Sequence, residues 1–228
     1  MDGIEIQKLL NCINYGIVDT MGTCKQSLLA FYGSQSFNAK FITNSVDANI
    51  SPRKKRMSEN KRHIKIGLYA ARCSDWRKNM YSQIATVSQM ENVVLDIIPL
   101  EYSAKEFAKL LNIKVTGENK NLSREELMKR MSNNDVNLYV SFSECAPMIP
   151  LESLEMGIPC VIGNNCHYFK ETELEDFLVV NNETNILQIK EKIEKVLDNY
   201  DYIMDLYKKF KEQNTKQKEI QISKYMKD

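Results

Sequence analysis

The chain has 228 residues, of which 43% are hydrophobic, and its formal net charge is +1 at pH 7. This length and apolar content suffice for one full domain with a sizeable core plus a smaller segment. The near-zero charge provides no global field for nucleic acid, so we expect no nucleic-acid partner. No apolar run approaches the roughly twenty residues that a membrane span needs, and the start of the chain lacks the basic region of a signal peptide.

Cysteine and histidine usage gives no sign of a disulfide framework or a metal site. None of the six cysteines forms a C-x-x-C pair, so reduced thiols and a cytoplasmic location are expected; they are Cys12, Cys24, Cys73, Cys145, Cys160 and Cys166. The only histidines, His63 and His167, lack metal-ligand spacing. We therefore expect neither a bound metal nor another cofactor.

The first 50 residues predict a small strand–helix–strand piece, with strands at 15–19 and 39–43 and a helix over 25–32. A basic linker follows at 51–63, beginning with Ser51-Pro-Arg-Lys-Lys-Arg56. A solvated hinge is the simpler interpretation of this linker, and peripheral contact with anionic lipid is the alternative.

From residue 64 onward, strands and helices alternate along the chain. Strands are predicted at 64–71, 92–98, 113–116, 135–142 and 160–163, and helices at 76–90, 103–111, 185–197 and 202–210. Ser123 and Glu126 have the spacing of a capping box, which predicts another helix start. Such alternation favours an α/β fold with a doubly wound parallel sheet of Rossmann-like type. No G-x-G-x-x-G and no P-loop motif is present.

The loop after the first of these strands is basic: Arg72-Cys-Ser-Asp-Trp-Arg-Lys-Asn79. Cations at the carboxyl end of a strand are well placed to bind a diphosphate. The alternative is a solvated basic helix start. Trp76 in this loop is predicted to be a packing residue rather than a base-stacking one.

The most informative stretch runs from Ser143 to Gly163. Pro147 and Pro150 restrict its first part to a loop or a first helical turn, and Gly157 before Ile-Pro marks a helix end. A helix start after a buried strand favours an anion such as phosphate.

Two carboxylates flank this loop-to-helix junction. Glu144 precedes it and Glu152 follows eight positions later. A carboxylate accepts two hydroxyl hydrogen bonds, which suits a sugar diol, so the pattern indicates a nucleotide-sugar site. Two ordinary solvated glutamates are the alternative.

This stretch resembles the donor-binding domain of retaining glycosyltransferases of GT-B architecture, which carry Glu, seven residues, Glu, a short helix and Gly-x-Pro-Val. Glu144, Glu152 and Gly157-Ile-Pro159 match in order and spacing. The resemblance implies that Glu144 faces the donor sugar and Glu152 the ribose. It also implies that backbone amides around three residues approach the sugar and phosphate; these are Ala146, Met148 and Ile149. Cys145-Ala146 departs from the usual Gly-Phe, which leaves the donor sugar open.

The same resemblance assigns the basic loop to the diphosphate. Lys78 matches the family lysine, while the family arginine is either Arg72 or Arg77, with Arg72 favoured because it directly follows the strand. His167, in the loop after 160–163, either faces the donor sugar or is an ordinary loop residue.

The resemblance further divides the chain into four parts. Residues 1–50 resemble a remnant of an acceptor-side N-terminal domain, since Asn44-Ser-Val-Asp47 is similar to the point where that domain ends in the family. Residues 51–63 are the linker, 64–200 the donor-binding domain and 201–228 a C-terminal helix.

The implied function is transfer of a sugar from a UDP- or GDP-sugar to an acceptor hydroxyl with retention of configuration and without a metal. The alternative is a non-catalytic or partner-dependent nucleotide-sugar-binding subunit that requires a complementary acceptor-domain polypeptide.

Overall fold

The computed structural model describes residues 21–23, 29–31, 34, 39–46, 63–70, 72–144 and 147–225. The chain divides into two compact units, one made of residues 1–45 with 211–228 and the other of residues 46–210. The predicted strand at 15–19 and the basic linker from Ser51 to Arg62 lie outside the described residues.

The larger unit is built on a six-stranded parallel sheet with the order β5-β4-β3-β6-β7-β8. Its strands are β3 (Ile64–Tyr69), β4 (Val93–Ile98), β5 (Lys114–Gly117), β6 (Val136–Tyr139), β7 (Cys160–Gly163) and β8 (Val179–Val180). The predicted doubly wound, Rossmann-like sheet is therefore confirmed. The short β8 was not predicted from the sequence.

Helices cover both faces of this sheet. They are α1 (Met80–Val87), α2 (Tyr102–Leu110), α3 (Arg124–Met131), α4 (Ile149–Glu155), α5 (Glu173–Leu178), α6 (Ile186–Asp198) and the first part of α7 (Tyr200–Tyr225), whose residues from 211 onward belong to the other unit. α1 packs against α2 and α6, and α3 packs against α4. Alternate strand residues enter separate cores, because Leu68 belongs to the main cluster while Tyr69 packs with Met128 and Met156.

Local sequence signals set several of the helix boundaries. Ser123 caps α3 through a complete capping box with Glu126. Gly157 ends the segment after α4 with a φ of 74°, a conformation that favours glycine.

The predicted helix over 76–90 is wrong at its start. A single 3-10 turn, Trp76–Lys78, is followed by Asn79 with a φ of 51°, and only then does α1 begin. The left-handed residue breaks the helical path, and asparagine tolerates this conformation better than most residues do. The predicted strand 135–142 also ends early, at Tyr139, which leaves residues 140–144 as a loop.

A polar network lies on the sheet face near α3. The Arg130 guanidinium donates two hydrogen bonds to Asp96, through Nε at 2.8 Å and Nη2 at 2.6 Å. The hydroxyls of Tyr69 and Thr116 donate to the same carboxylate, at 2.8 Å and 2.9 Å. This buried carboxylate is thus paired and fully hydrogen-bonded, the condition under which burial of a charge is tolerated.

The smaller unit contains two parallel strands, β1 (Met21–Thr23) and β2 (Ala39–Phe41). The end of α7 bonds to the segment after β2, since the Asn214 amide donates to the Asn44 carbonyl at 2.7 Å and Lys218 Nζ to Ser45 Oγ at 2.7 Å. Within the described ranges, no helix is both long enough and apolar enough to cross a membrane.

Candidate functional site

The candidate site lies at the point where the strand order reverses. β3 and β6 are neighbours at the centre of the sheet, and the chain builds outward from β3 to β5 and then from β6 to β8. The loops that leave the carboxyl ends of these two strands carry the basic segment and Glu144. In open α/β sheets, ligands bind in the crevice at such a switch point.

The structure brings two of the predicted residues into direct contact. Lys78 Nζ donates to Glu144 Oε1 at 2.6 Å and to the Tyr139 hydroxyl at 3.1 Å. The lysine and glutamate side chains are only 16% and 10% exposed, so the ion pair is largely shielded from water. Burial, with the Glu144 carboxylate adding to it, raises the pKa of Tyr139 well above its ordinary value. The tyrosine hydroxyl therefore remains neutral beside the pair.

Three hydrogen bonds fix the two loops to each other. The Phe142 amide donates to the Arg77 carbonyl at 2.7 Å, and the Val140 amide donates to Gln83 Oε1 at 2.9 Å. The Asn79 side chain donates to the Val140 carbonyl at 3.0 Å. The backbone beyond β6 is thus held against the segment that follows Lys78.

The two candidate arginines differ in their contacts. Arg77 forms a forked pair with Asp75, through Nε at 3.0 Å and Nη2 at 2.9 Å, and this pair lowers the pKa of Asp75. Arg72 is exposed just beyond β3. Its assignment as the diphosphate arginine stays a prediction.

The second glutamate of the motif is buried rather than solvated. Glu152 lies in the first turn of α4 with a side chain only 6% exposed, and its Oε1 accepts a 2.6 Å hydrogen bond from Arg124 Nε. Arg124 is the first residue of α3. The sequence patterns did not single out Arg124, because helix spacing relates residues only within one helix and this pair joins two.

The remaining predicted donor-site residues lie at the start of α4 and after β7. Met148 precedes α4, and Ile149 is its first residue; both side chains are half-buried against the core. His167 is exposed and opens a 3-10 turn after β7. Ala146 lies outside the described residues. The roles predicted for these residues remain predictions.

Trp76 is largely exposed, whereas the sequence predicted a packing residue. Its side chain is 73% exposed, and its ring lies 6.5 Å from that of Phe142 between centroids. The reason is the break at Asn79, which separates residues 76–78 from the buried face of α1. Trp76 therefore forms an exposed aromatic pair two residues before Lys78.

Two buried polar atoms lie near the carboxyl ends of β6 and β7. Ser141 Oγ and Asn165 Oδ1 have no hydrogen-bond partner among the residues that the structure describes. The Asn165 side-chain amide donates to the Ser141 carbonyl. In the same described part of the chain, no group of three or more His, Cys, Asp or Glu side chains is arranged to hold a metal ion.

Sequence comparison identifies the family. The model of the family described as glycosyl transferases group 1 matches residues 68–217, which is more than half of the chain. The chain belongs to this glycosyltransferase family. The matched range contains the basic loop, both motif glutamates and the whole strand series from β4 to β8. Among curated protein sequences, none matches this glycosyltransferase chain at a significant level.

Solved structures of GT-B glycosyltransferases share the fold at low sequence identity. Sucrose-phosphate synthase from Thermosynechococcus elongatus is 15% identical with a TM-score of 0.67, and the match covers 87% of this chain and 54% of that one. Trehalose-6-phosphate synthase is 13% identical with a TM-score of 0.63, and the match covers 92% of this chain and 60% of that one. The catalytic domain of cholesterol-alpha-glucosyltransferase from Helicobacter pylori is 20% identical with a TM-score of 0.53, and the match covers 67% of this chain and 98% of that one. The glycosyltransferase chain thus spans about half the length of the first two proteins.

Proposed function

We propose that this glycosyltransferase binds a nucleoside diphosphate sugar at the carboxyl ends of β3 and β6 and transfers the sugar to an acceptor hydroxyl. The observation that carries the proposal is the Lys78–Glu144 pair at the switch point of the sheet. It places a cation suited to a diphosphate beside a carboxylate suited to sugar hydroxyls. Family membership independently supports glycosyl transfer.

In the proposed reaction, the bond from the anomeric carbon to the diphosphate oxygen breaks and a bond to the acceptor oxygen forms on the same face of the sugar, while the proton of the acceptor hydroxyl passes to the departing diphosphate. Lys78 and Arg72 neutralise the charge that develops on the departing diphosphate, and stabilisation of this kind is commonly the largest catalytic contribution. Glu144 positions the sugar and Glu152 the ribose. Because these cations carry the phosphate charge, the proposal requires no metal ion.

Titration with UDP and with GDP, followed by the matching nucleotide sugars, tests the binding step. We expect saturable binding of at least one nucleotide at millimolar concentration or below, unchanged by EDTA. Lys78→Ala should weaken it by roughly tenfold or more, since a charge-assisted phosphate contact is lost. Lys129, an exposed lysine on α3, offers a control, and Lys129→Ala should leave the affinity unchanged. Failure of the wild-type protein to bind either nucleotide would refute the proposal.

The second candidate function is nucleotide-sugar binding without transfer, or transfer only with a complementary acceptor-domain polypeptide. Its basis is that the match covers only 54% of sucrose-phosphate synthase, so the activity of that longer enzyme is not assumed for this chain. Release of free nucleoside diphosphate from the bound donor distinguishes the two functions. The binding-only function predicts saturation with no release, and the anomeric configuration of any product tests retention.

A further inference from the structure

The placement of Arg124 is not explained by the helix that carries it. Arg124 is the first residue of α3, where the helix dipole disfavours a cation and favours the acidic residues that follow it, Glu125 and Glu126. Its side chain is 60% exposed, so apolar burial accounts for little of its position. The contact that it makes is the 2.6 Å hydrogen bond from Nε to Glu152 Oε1.

Glu152 in turn depends on this contact. Its side chain is 6% exposed, and an ionised carboxylate so deeply buried requires a charged or hydrogen-bonding partner. Arg124 is the partner that the described residues provide for Oε1. Glu152 Oε2 has no side-chain or backbone donor among those described residues. One oxygen is thus held and the other is left to accept from a ligand hydroxyl.

We infer that Arg124 is a positioning residue that holds the Glu152 carboxylate in the orientation required to accept hydrogen bonds from the ribose diol of the nucleotide. The inference rests on the proposed function, because it assumes that a nucleotide occupies the site. Arg124 acts through the carboxylate and need not touch the nucleotide. It adds a residue from α3 to a site otherwise built from the loops after β3 and β6 and from α4.

The test compares a nucleotide with the same nucleotide lacking both ribose hydroxyls. Whichever of UDP and GDP the wild-type protein binds is titrated beside its 2′,3′-dideoxy analogue. Hydrogen bonds to a charged group predict a preference for the diol of roughly tenfold to a hundredfold. In Arg124→Ala this preference should fall to about threefold or less, because the carboxylate is no longer oriented. Arg124→Lys should recover part of it.

The ratio of the two affinities separates the competing roles. If Arg124 contacted the phosphate or the base of the nucleotide directly, Arg124→Ala would weaken both ligands equally and leave the ratio unchanged, which overturns the inference. A loss of folding is detected by circular dichroism, and Lys129→Ala on the same helix removes an equal charge as a control. If the wild-type protein binds neither UDP nor GDP, the proposed function itself fails. Binding with an unchanged ratio in Arg124→Ala overturns only the role of Arg124.

Discussion

Replacement of Glu144 by glutamine should strengthen the binding of a nucleoside diphosphate that carries no sugar. In the structure, Lys78 is committed to Glu144 through a 2.6 Å contact between two mostly buried groups. A diphosphate must compete with that carboxylate for the lysine. Without a sugar, the ligand has no group that requires Glu144, so only the competition is removed.

The magnitude follows from the contacts of the lysine. A hydrogen bond to a charged group contributes about 1.5–3 kcal/mol, and each 1.4 kcal/mol changes affinity tenfold. The gain in affinity is smaller than this full value, because the Tyr139 hydroxyl still accepts a hydrogen bond from Lys78 in the variant. We therefore expect Glu144→Gln to bind UDP or GDP about tenfold more tightly while transfer of the sugar falls.

Isothermal titration calorimetry at two salt concentrations measures this effect. Glu191→Gln removes an equal charge from the exposed surface of α6 and should change the affinity little, because salt screens exposed charges. In a Lys78→Ala background, Glu144→Gln should give no comparable gain. Weaker binding of UDP and GDP by Glu144→Gln would show that the ion pair supports the diphosphate site instead of competing with it.

Three further predictions concern fluorescence, stability and pH. Trp76 is the single tryptophan and is 73% exposed, so donor binding should shift its fluorescence emission to shorter wavelength. An unchanged emission spectrum at a donor concentration that saturates binding in calorimetry would show that Trp76 does not contact the site. Arg130→Ala leaves the buried Asp96 carboxylate without its cation and should cost about 3–5 kcal/mol in urea unfolding, whereas Lys120→Ala on the surface should change stability by less than about 0.5 kcal/mol. A comparable loss in both variants would contradict the network. Burial raises the pKa of Cys73 to about 11, so its neutral thiol stabilises the fold below the unfolded pKa, and that contribution is lost as pH rises from about 8.5 toward 11. Cys73→Ala should therefore reduce the pH dependence of the free energy of unfolding over this range, measured in urea. An unaltered pH dependence would exclude the thiol as its source.

The features that the sequence predicts well are those encoded locally or by strand order. The capping box at Ser123 and the cap at Gly157 depend on residues adjacent in the chain, and both are present. The sequence also predicted that Lys78 and Glu144 lie at the same edge of the sheet, because both follow strands whose carboxyl ends meet there in a parallel sheet.

The features that were missed depend on packing between distant segments. The exposure of Trp76 follows from the left-handed Asn79, and helical spacing does not reveal a break of that kind. Arg124 meets Glu152 only because α3 packs beside α4, and nothing in the spacing of either segment indicates the pair. The burial of Glu152 was not predicted either, since solvated positions are the norm for glutamate.

Asn79, Gln83 and the Phe142 amide hold the backbone beyond β6 against the segment that carries Lys78 without help from a ligand. These bonds involve backbone groups and residues at or before position 142, so the protein itself sets the spacing of the Lys78–Glu144 pair. A diphosphate that binds as proposed therefore meets its cation already in place, so little ordering of these two segments is lost on binding.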